Sequence, residues 1–402
     1  MISLDDLKAL ARPARTKIVL LVMDGVGGLP RAFDGKTELQ AAQTPNLDAL
    51  AAQATLGLAD PVAPGITPGS GPGHLGLFGY DPLQFRIGRG VLEAVGIDMH
   101  LTEKDLAARG NFCSVDSQGL ITDRRAGRIP TEVCARLCGL AEKIRIPGVE
   151  LIVRPVREHR FVVLFRGEGL EEGLSETDPQ EVGMAPLPVR AEAAHASHAA
   201  EIANRFVAEA KTVLAAEHPA NMVLLRGFSK YPKIPKLTDI YGVRAGVIAV
   251  YPMYRGLARL VGMQTVKSEG DTVADEFAAL EKHFGQFDFF FVHIKKTDSY
   301  GEDGNFDNKI HVIEEVDREL PRLLALKPDV IVVTGDHSTP AAHKAHSWHP
   351  VPVLLWSKWC RLDDAKGFSE RECRFGGLGR IRAAELMPLI MGYAERLTKF
   401  GA

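Results

Sequence analysis

Three apolar runs in this chain of 402 residues end in side chains able to hold a cation. Asp24 closes the run 17–23, Asp298 lies shortly beyond the run 287–292, and Asp336-His337 follow the run 330–333, with His343, His346 and His349 close behind. One Asp after a strand is ordinary, because Asp caps helices and closes turns. Three of them, with an Asp-His pair and a His346-Ser347-Trp348-His349 tail, ask for another explanation. In open α/β sheets, ligand sites gather outside the carboxyl ends of strands, which would bring these side chains to one crevice. Carboxylates and imidazoles crowded there need a compensating cation. Mixed oxygen and nitrogen donors suit Mn2+ or Zn2+, and the number of donors suits two ions.

A second element is the segment 64–74, Pro-Gly-Ile-Thr-Pro-Gly-Ser70-Gly-Pro-Gly-His74. Its glycines permit close backbone approach. A Ser in such a turn ahead of a helix can offer its hydroxyl and neighbouring N–H groups to a phosphate. Beside a metal pair, the Ser70 hydroxyl becomes a candidate nucleophile. The third element is positive charge. Asp123-Arg124-Arg125-Ala126-Gly127-Arg128 is followed by Arg154, Arg157 and Arg160, while Arg226 and Arg255 each follow an apolar run. Guanidinium groups bind phosphate and carboxylate in two-pronged fashion, so this set suits a small phosphorylated acid.

The elements that must position these groups alternate between strand and helix. Continuous apolar runs at 17–23, 247–250, 287–292 and 330–333 read as buried parallel strands. The segments 45–54, 272–283 and 309–325 read as amphipathic helices, the first opened by Thr44 as N-cap and Pro45. This alternation specifies an α/β body with a largely parallel sheet flanked by helices. The stretch 61–72 is rich in Gly and Pro and reads as irregular. Short β-branched runs at 112–115, 151–155 and 161–165, with a helix over 131–143, suggest a small inserted α+β domain at 105–185. That leaves 1–104 and 186–402 as a discontinuous core, with a helix over 191–216 leading back to it through a strand at 222–225.

Composition narrows the function classes. The chain has 48 Lys+Arg against 51 Asp+Glu, a net charge of −3 and 46% hydrophobic residues. It is therefore neither a disordered polyelectrolyte nor a basic nucleic-acid binder. Its longest apolar runs fall far short of the ~20 residues a membrane helix needs. The N-terminal residues mix acids and bases and show no apolar signal core. Five cysteines without a Cys-x-x-Cys pair fit reduced thiols; Cys134 and Cys138, four apart on a helix, read as packing residues. The expectation is a cytoplasmic enzyme acting on a small molecule, with no nucleic-acid or membrane partner.

Six motifs taken together carry a resemblance. Met23-Asp24-Gly25, Thr44-Pro45-Asn46-Leu47-Asp48-Ala49-Leu50-Ala51, Pro68-Gly69-Ser70, Gly79-Tyr80-Asp81-Pro82, the 123–128 segment and Thr334-Gly335-Asp336-His337 follow one another in that order. Over essentially its whole length the chain resembles the archaeal-type cofactor-independent phosphoglycerate mutases of the alkaline phosphatase superfamily. The resemblance implies an alkaline-phosphatase-like core split by a capping insert, and a phosphoserine intermediate. It also implies two divalent cations, Mn2+ foremost with Mg2+ or Zn2+ as alternatives. Carried onto this sequence, it implies Asp24, Ser70, Asp336 and His337 as ligands of one ion, with Ser70 also the nucleophile. Asp298 and His346 are implied as ligands of the other.

The same resemblance implies Asp123, Arg124, Arg128 and Arg255 as substrate contacts, and Arg160 and Arg226 join them on charge and position. Arg89 and Glu93 fall in a further family motif without an assigned role. Two departures stand out. Glu302 occupies the place of a second-site His, four residues after Asp298, and as an oxygen ligand would harden the site. Gly71-Pro72 replace the polar pair that commonly follows the Ser. The implied activity is interconversion of 3-phosphoglycerate and 2-phosphoglycerate. Because a similar bacterial branch is thought to contain homoserine kinases, phosphotransfer to homoserine is an alternative on the same core, as is phosphomonoester hydrolysis.

Overall fold

Ile18–Met23, Phe289–Ile294 and Val330–Thr334 bury every residue, which only strands covered on both faces can do. In the computed structural model, which describes residues 2–32 and 35–401, they lie side by side in one eight-stranded sheet. Its order is Gly379–Arg382, Thr55–Asp60, Val351–Ser357, Val330–Thr334, Ile18–Met23, Phe289–Ile294, Ala245–Ala249, Gln264–Thr265. Every pairing is parallel except the two made by Val351–Ser357. The expected mixed α/β body with a mostly parallel sheet is what the chain forms.

Register decides where the chemistry collects. Val22 stands opposite both His293 and Thr334. The three central strands therefore end level, and Asp24, Lys295 and Gly335-Asp336 leave the sheet at one edge. Val19, Leu21, Phe290, Val292, Ile331 and Val333 pack against Phe277, Leu280, Val312, Ile313 and Val316 of two long helices, Val273–His283 and Phe306–Ala325.

Two local expectations change. Pro45–Ala51 is a helix with Thr44 at its N-cap, yet the Thr44 side chain makes no capping bond. Asp317 of the Phe306–Ala325 helix takes that role, accepting from Leu47 N at 2.7 Å and Asn46 Nδ2 at 3.0 Å. The Gly/Pro stretch is also less irregular than its composition suggests, because a helix, Ser70–Leu77, begins inside it. Pro72 is tolerated there because the first four N–H groups of a helix have no intrahelical acceptor to lose.

The chain divides into two units, Met1–Arg86 with Ile234–Ala402, and Ile87–Lys233. The second is wider than the expected 105–185 stretch. Its strand Asp105–Val115 pairs antiparallel with Arg160–Arg166 on one side and Met222–Lys230 on the other. The strand at 222–225, expected in the core, thus belongs to the insert's own sheet, together with the helix Ser197–Val213. The helix Arg89–Gly96 packs on the same strands. A short apolar run does not state which sheet it will join. Cys134 and Cys138 are both buried on the helix Thr131–Ala141. Among the described residues, no helix is long and apolar enough to cross a membrane.

Asp317→Ala is expected to destabilise the protein by about 1–2 kcal/mol in urea unfolding, and Thr44→Ala by much less. An equal loss from Thr44→Ala would return the cap to Thr44.

Candidate metal centre

The level strand ends bring the acidic and imidazole side chains together as two overlapping sets. Ligand atoms of Asp24, Asp336 and His337 lie within 4.8 Å of one another, as do those of Asp298, His337 and His346. His337 belongs to both sets, and its ring stacks on that of His346 with centroids 3.7 Å apart. The Ser70 hydroxyl is 3.3 Å from His337 Nε2. It reaches this position because its helix comes close to the Asp336 loop. A Cβ on Gly73 would stand 2.3 Å from the Asp336 carbonyl oxygen, so that contact requires glycine.

Charge is unevenly compensated here. Asp24, Asp298 and Asp336 are all buried, at 0%, 1% and 0% exposure. Among the described residues, one ammonium bonds these carboxylates directly, Lys295 Nζ, at 3.1 Å from Asp24 Oδ2 and 2.5 Å from Asp298 Oδ2. Burial raises the Asp24 pKa, but the Lys295 ammonium and the neighbouring His293 outweigh it and hold the carboxyl well below its usual range. Asp24 Oδ1 and Asp336 Oδ2 are buried and accept no hydrogen bond. A buried carboxylate oxygen left bare is costly unless a cation takes it. The donor set is oxygen and imidazole nitrogen, which fits Mn2+ or Zn2+. By both criteria the residues present fit divalent metal.

Two further histidines, which no motif marks, support these carboxylates. His293 Nε2 lies 3.2 Å from Asp24 Oδ2, and His74 Nδ1 lies 3.1 Å from Asp336 Oδ2 and 2.8 Å from the Ser70 carbonyl oxygen. Burial alone would lower His74, but the Asp336 carboxylate reverses the effect and raises it. For His293 burial prevails and lowers the pKa. Its ring stacks on Tyr254 at 3.7 Å between centroids. The available signals were a His inside an otherwise apolar strand and a His four residues after Ser70, on the same helix face.

The other expected residues are placed less centrally. Glu302 ends the helix Lys296–Glu302; its side chain is 56% exposed and its Oε1 is 3.7 Å from His346 Nε2. It lies outside both sets. Arg255, in the first unit, donates to the carbonyls of Ala249 and Val250. In the second unit Asp123 closes the turn that follows it, accepting from Arg125 N and Gly127 N. Arg124 is held by both oxygens of Asp178, and Arg226 bonds Glu176. Arg128 and Arg160 are exposed.

Replacing His293 by Leu is expected to weaken Mn2+ binding by about 10–100-fold in a titration, because its ring lies against Asp24, a carboxylate of one candidate set. Wild-type affinity in that variant would remove His293 from the support of Asp24.

This arrangement can be compared with known proteins. Residues 16–393 match the model of the metalloenzyme superfamily. A protein of Thermotoga neapolitana with the name probable 2,3-bisphosphoglycerate-independent phosphoglycerate mutase is 55% identical over 96% of each chain. A protein of the same name from Thermus thermophilus is 50% identical over 98% of each. Among solved structures, a Pyrococcus horikoshii protein superposes with a TM-score of 0.81 at 33% identity, covering 96% of this chain and 99% of its own. The cofactor-independent phosphoglycerate mutase of Thermoplasma acidophilum gives 0.78 at 29% identity, covering 94% and 100%. Identity of this extent leaves no part of the first unit's sheet or of the insert outside the comparison, and the buried donor set agrees with it. The chain belongs to the metalloenzyme superfamily and, within it, to the 2,3-bisphosphoglycerate-independent phosphoglycerate mutases.

Proposed function

We propose that this chain interconverts 3-phosphoglycerate and 2-phosphoglycerate through a phosphoserine on Ser70. The reading is carried by one observation. The Ser70 hydroxyl stands 3.3 Å from His337, at the start of a helix and beside buried carboxylates that the protein itself leaves short of positive charge. Asp24, Asp336 and His337, with Ser70, would hold one divalent ion, and Asp298 and His346, with Glu302, the other; Mn2+ is the ion we favour. Bound there, the ions supply Lewis acidity that lowers the hydroxyl pKa of a coordinated Ser and neutralises charge on the transferring phosphoryl group.

The protein's own part begins with Ser70. Its oxygen forms a bond to the substrate phosphorus as the bond from phosphorus to the glycerate oxygen breaks. Ser70 gives up one proton and the departing glycerate oxygen takes one, so the step balances. The N–H groups opening the Ser70–Leu77 helix lack intrahelical acceptors and carry the positive end of its dipole, which favours the phosphoryl oxygens. The other hydroxyl of glycerate then takes the phosphoryl group back. Arginine suits the acid's carboxylate, and Arg124, Arg128, Arg160, Arg226 and Arg255 are the residues we assign to anions, with Asp123 shaping the turn of the first two. We place the reaction in the cytoplasm, in keeping with five free cysteines.

With Mn2+ and 3-phosphoglycerate, phosphorus NMR is expected to show 2-phosphoglycerate accumulating. Ser70→Ala should lower the rate by at least about a thousandfold while Mn2+ still binds. Free phosphate as the only product would identify a hydrolase instead, and phosphohomoserine from homoserine plus ATP a kinase. Glu302→His is expected to shift the preference from Mn2+ toward Zn2+ in competitive binding; an unchanged ratio would leave Glu302 outside the coordination sphere.

A further inference from the structure

Lys309 sits in the long Phe306–Ala325 helix and is fully buried, yet its closest carboxylate oxygen, Glu38 Oε1, is 3.8 Å away. Its ammonium instead donates to three main-chain carbonyls: Gly25 at 2.9 Å, Gly27 at 3.2 Å and Thr339 at 2.8 Å. Only an ammonium can bond three oxygens from one atom in this way. The acceptors come from the two loops that carry Asp24 and Asp336-His337, so Lys309 ties one loop to the other. The Thr339 amide adds bonds to the Gly25 and Gly27 carbonyls, each at 3.1 Å.

The side chain of Thr339, pinned in this way, meets both ligand sets. Its hydroxyl donates to Asp298 Oδ1 at 2.6 Å and lies 2.9 Å from His337 Nδ1. A hydroxyl has one proton. If that proton goes to Asp298, the oxygen can only accept from His337, which places the imidazole proton on Nδ1. His337 Nε2 then presents a lone pair toward Asp24 Oδ1, Asp336 Oδ2 and Ser70 Oγ, at 3.3, 3.1 and 3.3 Å. The first loop comes close to this hydroxyl, and that approach requires glycine at 25. A Cβ on Gly25, which has φ +62°, would stand 2.5 Å from it.

We propose that Thr339, anchored through Lys309, is a positioning residue of the metal centre: one hydroxyl fixes the His337 tautomer and aims Asp298, presetting both ligand sets from a single atom. The proposal rests on the reading that two ions bind at these sets. The test is Mn2+ titration of Thr339→Val and Thr339→Ser beside the wild type, with thermal unfolding of each metal-free protein. Thr339→Val keeps the shape and the main-chain bonds. It is expected to bind at both positions about 10–100-fold more weakly, whereas Thr339→Ser, which keeps the hydroxyl, should restore wild-type affinity. Undiminished binding by Thr339→Val, or a loss confined to one ion, would overturn the proposal. Nitrogen NMR of the metal-free wild type reads the same claim without a variant. A proton on His337 Nδ1 is expected, and its absence would overturn the proposal. A wild type that binds no Mn2+ at all would overturn the metal reading, and this proposal with it.

Discussion

Three buried carboxylates facing one lysine ammonium are the constraint around which the first unit is built. Water would solvate Asp24, Asp298 and Asp336 without difficulty, but the sheet edge where they sit excludes it. Burying like charges together is tolerable only if cations share the space or protons neutralise them. The Lys295 ammonium and the neighbouring His293 hold the Asp24 carboxyl well below its usual range. One ammonium against three buried carboxylates leaves a set of oxygen and imidazole donors that fits divalent cations.

The rest of the unit holds that unfavourable arrangement in place. Eight strands, most of them parallel, and two long helices bury enough apolar surface to hold the loops in one geometry. Level registers bring the loops to one edge, glycine at 73 lets the Ser70 helix approach, and His74 and His293 back the carboxylates. Lys309 spends its three bonds on loop carbonyls, where a carboxylate partner would have been the ordinary choice for a buried lysine. Stability and reactivity are served by separate groups here: the apolar strands supply the first, and the polar groups at their ends supply the second.

How far the site was legible depends on what kind of signal each residue left. Asp24, Asp336 and His337 follow long apolar runs and could be read directly, since a buried strand has few reasons to end in a charged pair. Thr44 carried the usual sign of an N-cap, yet the bond went to Asp317, 273 residues away in sequence, because a longer-range carboxylate reached the Leu47 N–H. Thr339 left no sign at all; a threonine in a polar loop is unremarkable until its two partners are known. The insert's limits left no clear sign for a related reason, as the strand at 222–230 has an apolar pattern that either sheet could accept.

The sequence by itself determined the α/β class, the parallel strands and the identity of the residues at their carboxyl ends, because periodicity and residue type are local properties. The resemblance of its ordered motifs implies the ligand roles proposed for them. Only the tertiary structure decided the rest: which strands share a sheet, that His337 stands in both ligand sets, that Glu302 lies at their margin, and that Lys309 and Thr339 join the loops. Those facts are distances between residues far apart in the chain. They depend on strand register and on which atoms fill the hydrogen bonds of buried groups, and no stretch of sequence taken alone specifies either.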